Sequence, residues 1–488
     1  MLSPEDFFEQ LAAHDARIAL SEGARSLTYR ALLREVERRA ALLCDAGAQR
    51  VALALDNGIE WVLWDLALLK TRRVAVPLPA FFSATQQAHV LASAGVDTLI
   101  ADDPAVFAAA GFVPSRNGLA QRTIDAPPLP DGTAKITYTS GTTGQPKGVC
   151  LSLKAQLAVA NSLWLASAPC DIRRHLCVLP LATLLENVAG VYAPLLAGAA
   201  IELMPVAEVG LSGATGFDVR RFVAALAASA PNSMILVPQL LFALVAAAEH
   251  GAPLPPSLRF IAVGGARVAP SLLQRADALG LPVFEGYGLS ECASVVCLNT
   301  PDARRIGTVG KPLPHVDVAI GDAGEVRVRG LGMLGYVGEP ARDEADLDTG
   351  DLGRFDDGFL VLEGRRKHQF ATAYGRKVNP EWVEAELAQQ PAIAQAWLYG
   401  DALPANVALL VPRRAEVADA ALQAAVDAVN ATLPDYARAH RWLRAAPFTS
   451  ENGLATANGR LRRDALFARY GREIDALVPT HSTPGGNP

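Results

Sequence analysis

Two short β-type runs, joined by a loop of glycines and hydroxyls, constrain this chain more than any other stretch. Ile136 to Thr139 alternates β-branched and aromatic residues, and Val149-Cys-Leu151 is a second apolar run. Such runs predict strands. Between them lie Ser140, Gly141, Thr142, Thr143 and Gly144, with Lys147 at the far end. Glycines let backbone amides approach an anion, hydroxyls donate to phosphate oxygens, and a lysine adds a mobile positive charge. A P-loop would need Gly-Lys-Ser/Thr opening a helix. Here Pro146 precedes Lys147, Gly148 follows it, and a strand comes next, so that arrangement is excluded. The residues alone leave a polyphosphate cradle beside a plain Gly/Thr-rich hairpin.

On the N-terminal side, apolar residues at Leu32, Leu33, Val36, Ala40 and Leu43 form a helical stripe that Gly47 ends. Val51 to Leu55 reads as a buried strand, Glu60 to Lys70 as a helix, and Val74-Ala-Val76 as a strand. Strands alternating with helices predict an α/β layer around a parallel sheet. On the C-terminal side, Leu153 to Ala166 is helical in pattern and His175 to Leu179 strand-like. The apolar segment Pro180 to Asn187 has the pattern of a core helix. A further βαβ unit spans Leu258 to Phe284, with a helix from Pro270 through Leu279.

The two strand ends of that unit are Gly264-Gly265-Ala266 and a turn at Glu285-Gly286-Tyr287-Gly288-Leu-Ser290-Glu291. The glycines would let a flat base lie against backbone, Tyr287 can stack on it, and Ser290 and Glu291 offer a hydroxyl and a carboxylate for phosphate and Mg²⁺. From Asp302 to Glu363 short alternating runs between Gly/Asp turns predict a small β-rich subdomain. It contains Asp348-Thr-Gly-Asp351-Leu-Gly353, a carboxylate in a Gly-rich turn able to accept from two hydroxyls. Asn379-Pro380 then opens a helix as N-cap and first residue.

Charge, 44 basic against 50 acidic residues for a net of −6, gives no reason to expect nucleic acid as a partner. The most apolar segments, Val188–Ile201 and Met234–Ala248, fall short of the ~20 residues that span a bilayer. The first residues lack a basic and an apolar region of a signal peptide, and six scattered cysteines read as reduced thiols. Both point to a cytoplasmic chain.

Taken together, the Ile136–Val149 string, Tyr-Gly-Leu-Ser-Glu291, Asp348–Gly353 and the closing Glu451-Asn-Gly-Leu-Ala-Thr-Ala-Asn-Gly-Arg460 resemble the signatures of the adenylate-forming superfamily. That superfamily holds acyl-CoA synthetases, luciferases and peptide-synthetase adenylation domains, and the resemblance runs from about Leu27 to Leu466. It implies an α/β N-terminal domain over 1–364, layered to about 300 with a β-rich subdomain over 301–364. A mobile α+β lid over 365–475 and a disordered tail over 476–488 would follow. ATP, Mg²⁺ and CoA are the implied ligands.

The resemblance assigns Thr139, Ser140, Gly141, Thr142, Thr143, Gly144 and Lys147 to the phosphates. Gly264, Gly265, Ala266, Glu285, Gly286, Tyr287 and Gly288 fall to the nucleotide, and Thr142 and Glu291 to the metal. Asp351 with Arg365 would take the ribose, Lys367 would be the hinge, and Gly375 would line the thiol tunnel. Ser290, Glu291, Lys147 and Arg460 form the implied catalytic set. Many relatives carry a histidine where Thr183 stands, and no aspartate between Pro180 and Val191 is present to hold an amino-acid ammonium.

One position departs. Relatives carry a lysine where this chain has Arg460, and a forked guanidinium does not replace a point charge conservatively. The hinge hairpin and closing motif look most like fatty acyl-CoA synthetases, so the expected substrate is a medium- or long-chain acid, with CoA as acceptor. Alternatives are an acyl-AMP ligase serving a carrier protein, an aryl-acid ligase, or an acyl- or nucleotide-binding pseudoenzyme impaired at Arg460.

Overall fold

The computed structural model describes residues 2–115, 119–139, 146–213, 216–342, 346–456 and 459–478. Among them, two large sheets stack with helices between and outside. The first has eight strands, with Lys147–Ser152, Thr133–Thr139, Val74–Pro77, Arg50–Ala54 and Thr98–Ala101 side by side. The second has nine, with Val283–Leu289, Phe260–Val263, Ser233–Leu236, Arg174–Leu176 and Ala200–Glu202 in sequence across its middle, all parallel.

Helices Tyr29–Asp45, Ile59–Thr71 and Leu153–Ser167 fill the space between the sheets, where Val51, Leu53, Val149 and Leu151 of one meet Ile201, Phe260 and Phe284 of the other in one core. Helices Val219–Ser229, Pro238–Glu249 and Pro270–Ala278 cover the far face of the nine-stranded sheet. Ala84–Ser93 covers that of the eight-stranded one. Parallel strands need cover on both faces, which explains their near-continuous apolar runs.

A four-stranded antiparallel sheet follows, Val316–Ile320, Glu325–Gly330, Asp346–Asp356 and Phe359–Arg365. Beyond Arg365, a 3₁₀ turn Arg366–His368 and a two-strand hairpin Phe370–Ala371/Lys377–Val378 lead into the last module. There a three-stranded sheet carries Pro380–Ala388, Asp419–Asn430 and Arg463–Leu477. This is the mixed α/β architecture expected from the motifs.

Several local expectations change. The Val283–Leu289 strand does not turn at Glu285–Glu291. It stays extended to Leu289, pairs antiparallel with Ser294–Leu298 through a bulge at Tyr287/Gly288, and turns only at Ser290–Cys292. Asp351 lies in the strand Asp346–Asp356, not in a turn, because Phe359–Arg365 pairs along it. Pro180–Asn187 is a turn leading into a π-helical stretch, Glu186–Tyr192. Asn379 occupies the N-cap but makes no capping bond. Its amide packs on Gly364 (φ +136°), where an added Cβ would lie 1.7 Å from it. The last helix reaches Leu477 and Val478 is buried, so the expected tail from 476 begins too early, and 479–488 lie outside the described residues. Among the described residues, no helix is long and apolar enough to cross a membrane.

Candidate active site

A cavity of about 690 Å³ opens where the two large sheets, the antiparallel sheet and the last module meet. Thr139, Lys147, Gly264, Gly265, Gly286, Tyr287, Gly288, Ser290, Glu291, Arg365, Lys367 and Arg460 all line it. Ser140, Gly141, Thr142, Thr143 and Gly144 lie outside the described residues, so the expected phosphate loop and half of the expected metal pair carry no geometry.

The glycines form a slot between adjacent strand ends. A Cβ on Gly264 would sit 2.9 Å from Gly286 O, and one on Gly288 would sit 1.9 Å from Ser294 O. Side chains there would run into neighbouring backbone, so glycine lets these cavity-lining strand ends approach so closely. Two residues expected in this group are elsewhere. Ala266 does not line the cavity. The Glu285 side chain is buried below it, and burial pushes its carboxyl up to about 8 despite the nearby Arg267.

Asp351 stands opposite Arg365 on paired strands. Arg365 Nε donates to Asp351 Oδ1 at 2.8 Å and the Tyr287 hydroxyl to Oδ2 at 2.6 Å. The carboxylate is buried and lies behind these two cavity-lining partners. Burial raises its pKa, with Arg365 and the Tyr287 hydroxyl opposing. Each oxygen keeps further accepting capacity, but Tyr287 is now tethered at its hydroxyl, which fixes the plane of its ring.

Tyr336 joins Lys147 and Glu291, and nothing in the local sequence marks it. It pairs with Val149 across the sheet, donates to Glu291 Oε1 at 3.1 Å, and lies 5.2 Å below Lys147 Nζ at its ring centroid. Lys147 also approaches Glu339 at 3.6 Å. Glu291 therefore presents a held carboxylate beside a cation, a donor set that fits Mg²⁺ shared with phosphate oxygens.

Arg460 is brought to the same space from the last module. Thr456 N–H donates to Arg460 O at 2.7 Å and Arg460 N–H to Thr456 Oγ1 at 3.0 Å, while a bridge pairs Ala455 with Leu461. Its guanidinium reaches open cavity, with no ion pair recorded among the described residues. Burial, then Arg365, lower its pKa, while Glu291, Asp351 and Glu381 act oppositely. Lys367 shares the cavity, its pKa lowered by burial, Arg365 and Arg460. The expected hinge residue thus also supplies a lysine charge near Arg460. Gly375 is exposed at a hairpin turn (φ +70°) and lines no part of this cavity.

Below this charged end the cavity continues as an apolar tunnel. Ala182, Thr183, Leu185, Ala189 and Ala193 form one wall, and Ile235, Phe260 and Ala262 the sheet side. Thr183 bonds to Pro180 O at 2.7 Å. His175 and Ser233, neither singled out by sequence reasoning, lie at its far end. A periodic strand pattern shows only that such residues are inside.

Residues 7–338 match the family model described as AMP-binding enzyme, and 367–481 match the AMP-binding enzyme C-terminal domain. A long-chain-fatty-acid–CoA ligase of Mycobacterium bovis is 28% identical, with 90% of each chain covered. The oxalate–CoA ligase of Arabidopsis thaliana is 30% identical over 79% of this chain and 83% of its own. Among solved structures, an anthranilate CoA ligase in complex with anthranoyl-AMP superposes with a TM-score of 0.80 at 19% identity, covering 98% of this chain and 100% of its own. The o-succinylbenzoate CoA synthetase of Bacillus subtilis gives 0.75 at 24%, covering 94% and 97%. Both folds share the layered sheets and the C-terminal module. With the glycine slot, the clustered cations and the matched sequence over both parts, this chain belongs to the AMP-binding, adenylate-forming family of AMP-forming acid–thiol ligases.

Proposed function

We propose that this protein activates a medium-length carboxylic acid with Mg·ATP and passes the acyl group to CoA. The observation that carries the reading is one continuous cavity with a cationic end and an apolar tunnel. The acid's carboxylate would meet the α-phosphate between Lys147, Arg460 and Lys367. Its body would lie between Ala189 and Ala193 on one side and Ile235 and Ala262 on the other. Attack of a carboxylate oxygen on the α-phosphorus forms the mixed anhydride and expels pyrophosphate, and a thiol then displaces AMP.

In the first step charge accumulates on the phosphate oxygens. Cations already aimed there stabilise it without reorganisation. Glu291, fixed by Tyr336, would hold Mg²⁺, which neutralises the triphosphate. The guanidinium of Arg460 can contact phosphate through two N–H groups at once. Lys367 offers the compact charge that Arg460 lacks, which supports an active ligase over a pseudoenzyme.

Tunnel depth supports a medium-length body. Phe260 and Gly264 lie on one extended run four residues apart, about 13 Å at strand rise. The small residues Ala189 and Ala193 leave room along that length. Relatives named for fatty, aromatic and short dicarboxylic acids leave the acid class open. The free cysteines, five of them buried, suit a reducing compartment such as the cytoplasm.

Pyrophosphate exchange with a panel of carboxylates tests the reading. Acid-dependent label return from pyrophosphate to ATP is expected, and its absence with every acid would remove the ligase assignment. The hinge reading of Lys367 needs two variants, because Lys367 also lines the cavity. Lys367→Pro alters both backbone freedom and cavity charge, so Lys367→Met must accompany it. Loss confined to thioester formation in the proline variant alone marks the pivot, whereas equal loss in both marks the charge.

A further inference from the structure

The far end of the acid tunnel is polar. His175 pairs with Ser233 on the neighbouring strand, and Ser233 with Phe260 on the next, so these three form one row across the sheet. His175 Nδ1 lies 2.8 Å from Ser233 Oγ. On its other side, Nε2 faces Glu186 Oε1 at 3.5 Å. The His175, Ser233 and Glu186 side chains are each at least 97% buried.

The group is incompletely paired. Among the described residues, His175 Nε2 and Glu186 Oε1 have no hydrogen-bond partner, while Glu186 also accepts a long 3.4 Å bond from Leu179 N–H at Oε2 and is contacted by the Cys177 thiol. Gly190 holds the pair in place, since a Cβ there would lie 2.6 Å from Glu186 Oε1 and 2.9 Å from His175 Nε2. Of this group, His175 and Ser233 line the tunnel, and an alkyl chain there would leave the remaining hydrogen-bonding capacity of Ser233 unmet.

Ser233 has one donor and two acceptor sites, and His175 uses one of these roles. Whichever role the imidazole takes, a hydroxyl can answer the other, because it both donates and accepts. A second carboxylate fits poorly. The cationic side chains Lys147, Arg365, Lys367 and Arg460 line the opposite end, and a new anion would stand near Glu186. An uncompensated buried charge is strongly disfavoured.

We propose that the acid carries a neutral hydroxyl at the end remote from its carboxylate, and that Ser233, held by His175 and Glu186, binds it. This rests on the ligase reading above, and it makes Ser233 a specificity-determining residue and His175 a positioning residue.

The test compares matched acids by two readouts. Straight-chain acids are paired with their terminal-hydroxy and dicarboxylic counterparts, and aryl acids with their para-hydroxy derivatives. Calorimetry measures binding and pyrophosphate exchange measures turnover. The hydroxy acid of the best-fitting length is expected to show a Kd and KM roughly five- to tenfold below its parent, the range of one hydrogen bond, with the diacid weakest. The aliphatic and aryl arms identify which body carries the hydroxyl. Ser233→Ala should bring the hydroxy-to-parent ratio in KM towards one while kcat changes less, and Ser233→Thr should retain the preference. His175→Gln should weaken it. Equal Kd and KM for parent and hydroxy acids, or a preference that survives Ser233→Ala, overturns the proposal. Preferential binding without any exchange overturns the ligase reading and leaves the Ser233 site standing.

Discussion

Two buried polar clusters flank the same helical stretch, and one is closed where the other is open. On the closed side, Lys135 donates to Asp65 at 2.9 Å, to the Tyr192 hydroxyl at 3.0 Å, and to the Asn187 amide oxygen. Asn187 and Tyr192 then donate to Asp65 Oδ2 at 2.9 and 2.5 Å. Every member has partners, and the network ties the Thr133–Thr139 strand to the Ile59–Thr71 helix and the Glu186–Tyr192 stretch. On the open side, His175 Nε2 and Glu186 Oε1 have no hydrogen-bond partner among the described residues, and His175 and Ser233 border the tunnel. A saturated buried network serves architecture, and an unsaturated one beside a cavity is where a ligand can complete the set.

The strongest way to break this contrast is at the closed cluster. Lys135→Met leaves Asp65 buried without its cation and should cost about 3–5 kcal/mol in denaturant unfolding. Adding Asp65→Leu should recover most of it. A small loss from the single variant would show that the closed network does not hold the sheets together.

Arg460 sits at the open, charged end, so its removal should affect rate rather than fold. Arg460→Ala is expected to slow pyrophosphate exchange ~10²–10³-fold, the range for losing one transition-state donor, with little change in Tm. Arg460→Lys discriminates further. A faster lysine variant marks a site that has drifted from the family's lysine, and a slower one marks a site adapted to arginine. Unchanged exchange in Arg460→Ala would make the residue a bystander.

A second buried imidazole, His315, gives the effect of burial without a carboxylate neighbour. Burial pushes His315 down to about 4, with a backbone contact from Val295 opposing. Its folded pKa lies below its unfolded value of 6.5. The unfolded chain therefore binds the proton first, and stability contributed above pH 6.5 is lost as pH falls towards 4. The loss should be roughly 1–3 kcal/mol. His315→Gln should flatten Tm against pH in that window, and an unchanged slope would assign the acid sensitivity to other groups.

The smallest effect is expected where the contrast is sharpest. Replacing the open pair together, His175→Leu with Glu186→Met, should shift unfolding free energy by less than about 1 kcal/mol, since removing both partners leaves no orphaned charge. A loss comparable with that of Lys135→Met would mean the two clusters are alike.

Much of the fold was legible locally. The Tyr29–Asp45 and Ile59–Thr71 helices, the βαβ unit from Leu258 to Phe284, and the β-rich run after Asp302 follow from apolar period and turn residues alone. Lys147, Glu291 and Arg460 were nameable as motif residues, and the structure brings them to one cavity. What was not legible was company. Tyr336 meets Glu291 only because Gly335–Tyr336 pairs with a strand nearly two hundred residues earlier. Asp351 looked free in a turn, yet it lies in a strand whose register delivers Arg365 to one oxygen, while Tyr287 takes the other.

By itself, then, the sequence determined the kinds of element, their order and the chemistry available at their ends, because period, capping and glycine placement act over a few residues. The tertiary structure decided which groups share a space. His175, Ser233 and Phe260 come from three separated strands and become one tunnel floor through parallel register. Glu285 and Ala266 leave the site and Lys367 enters it. Such pairings depend on contacts between distant segments, and a one-residue slip in register turns a side chain from cavity to core.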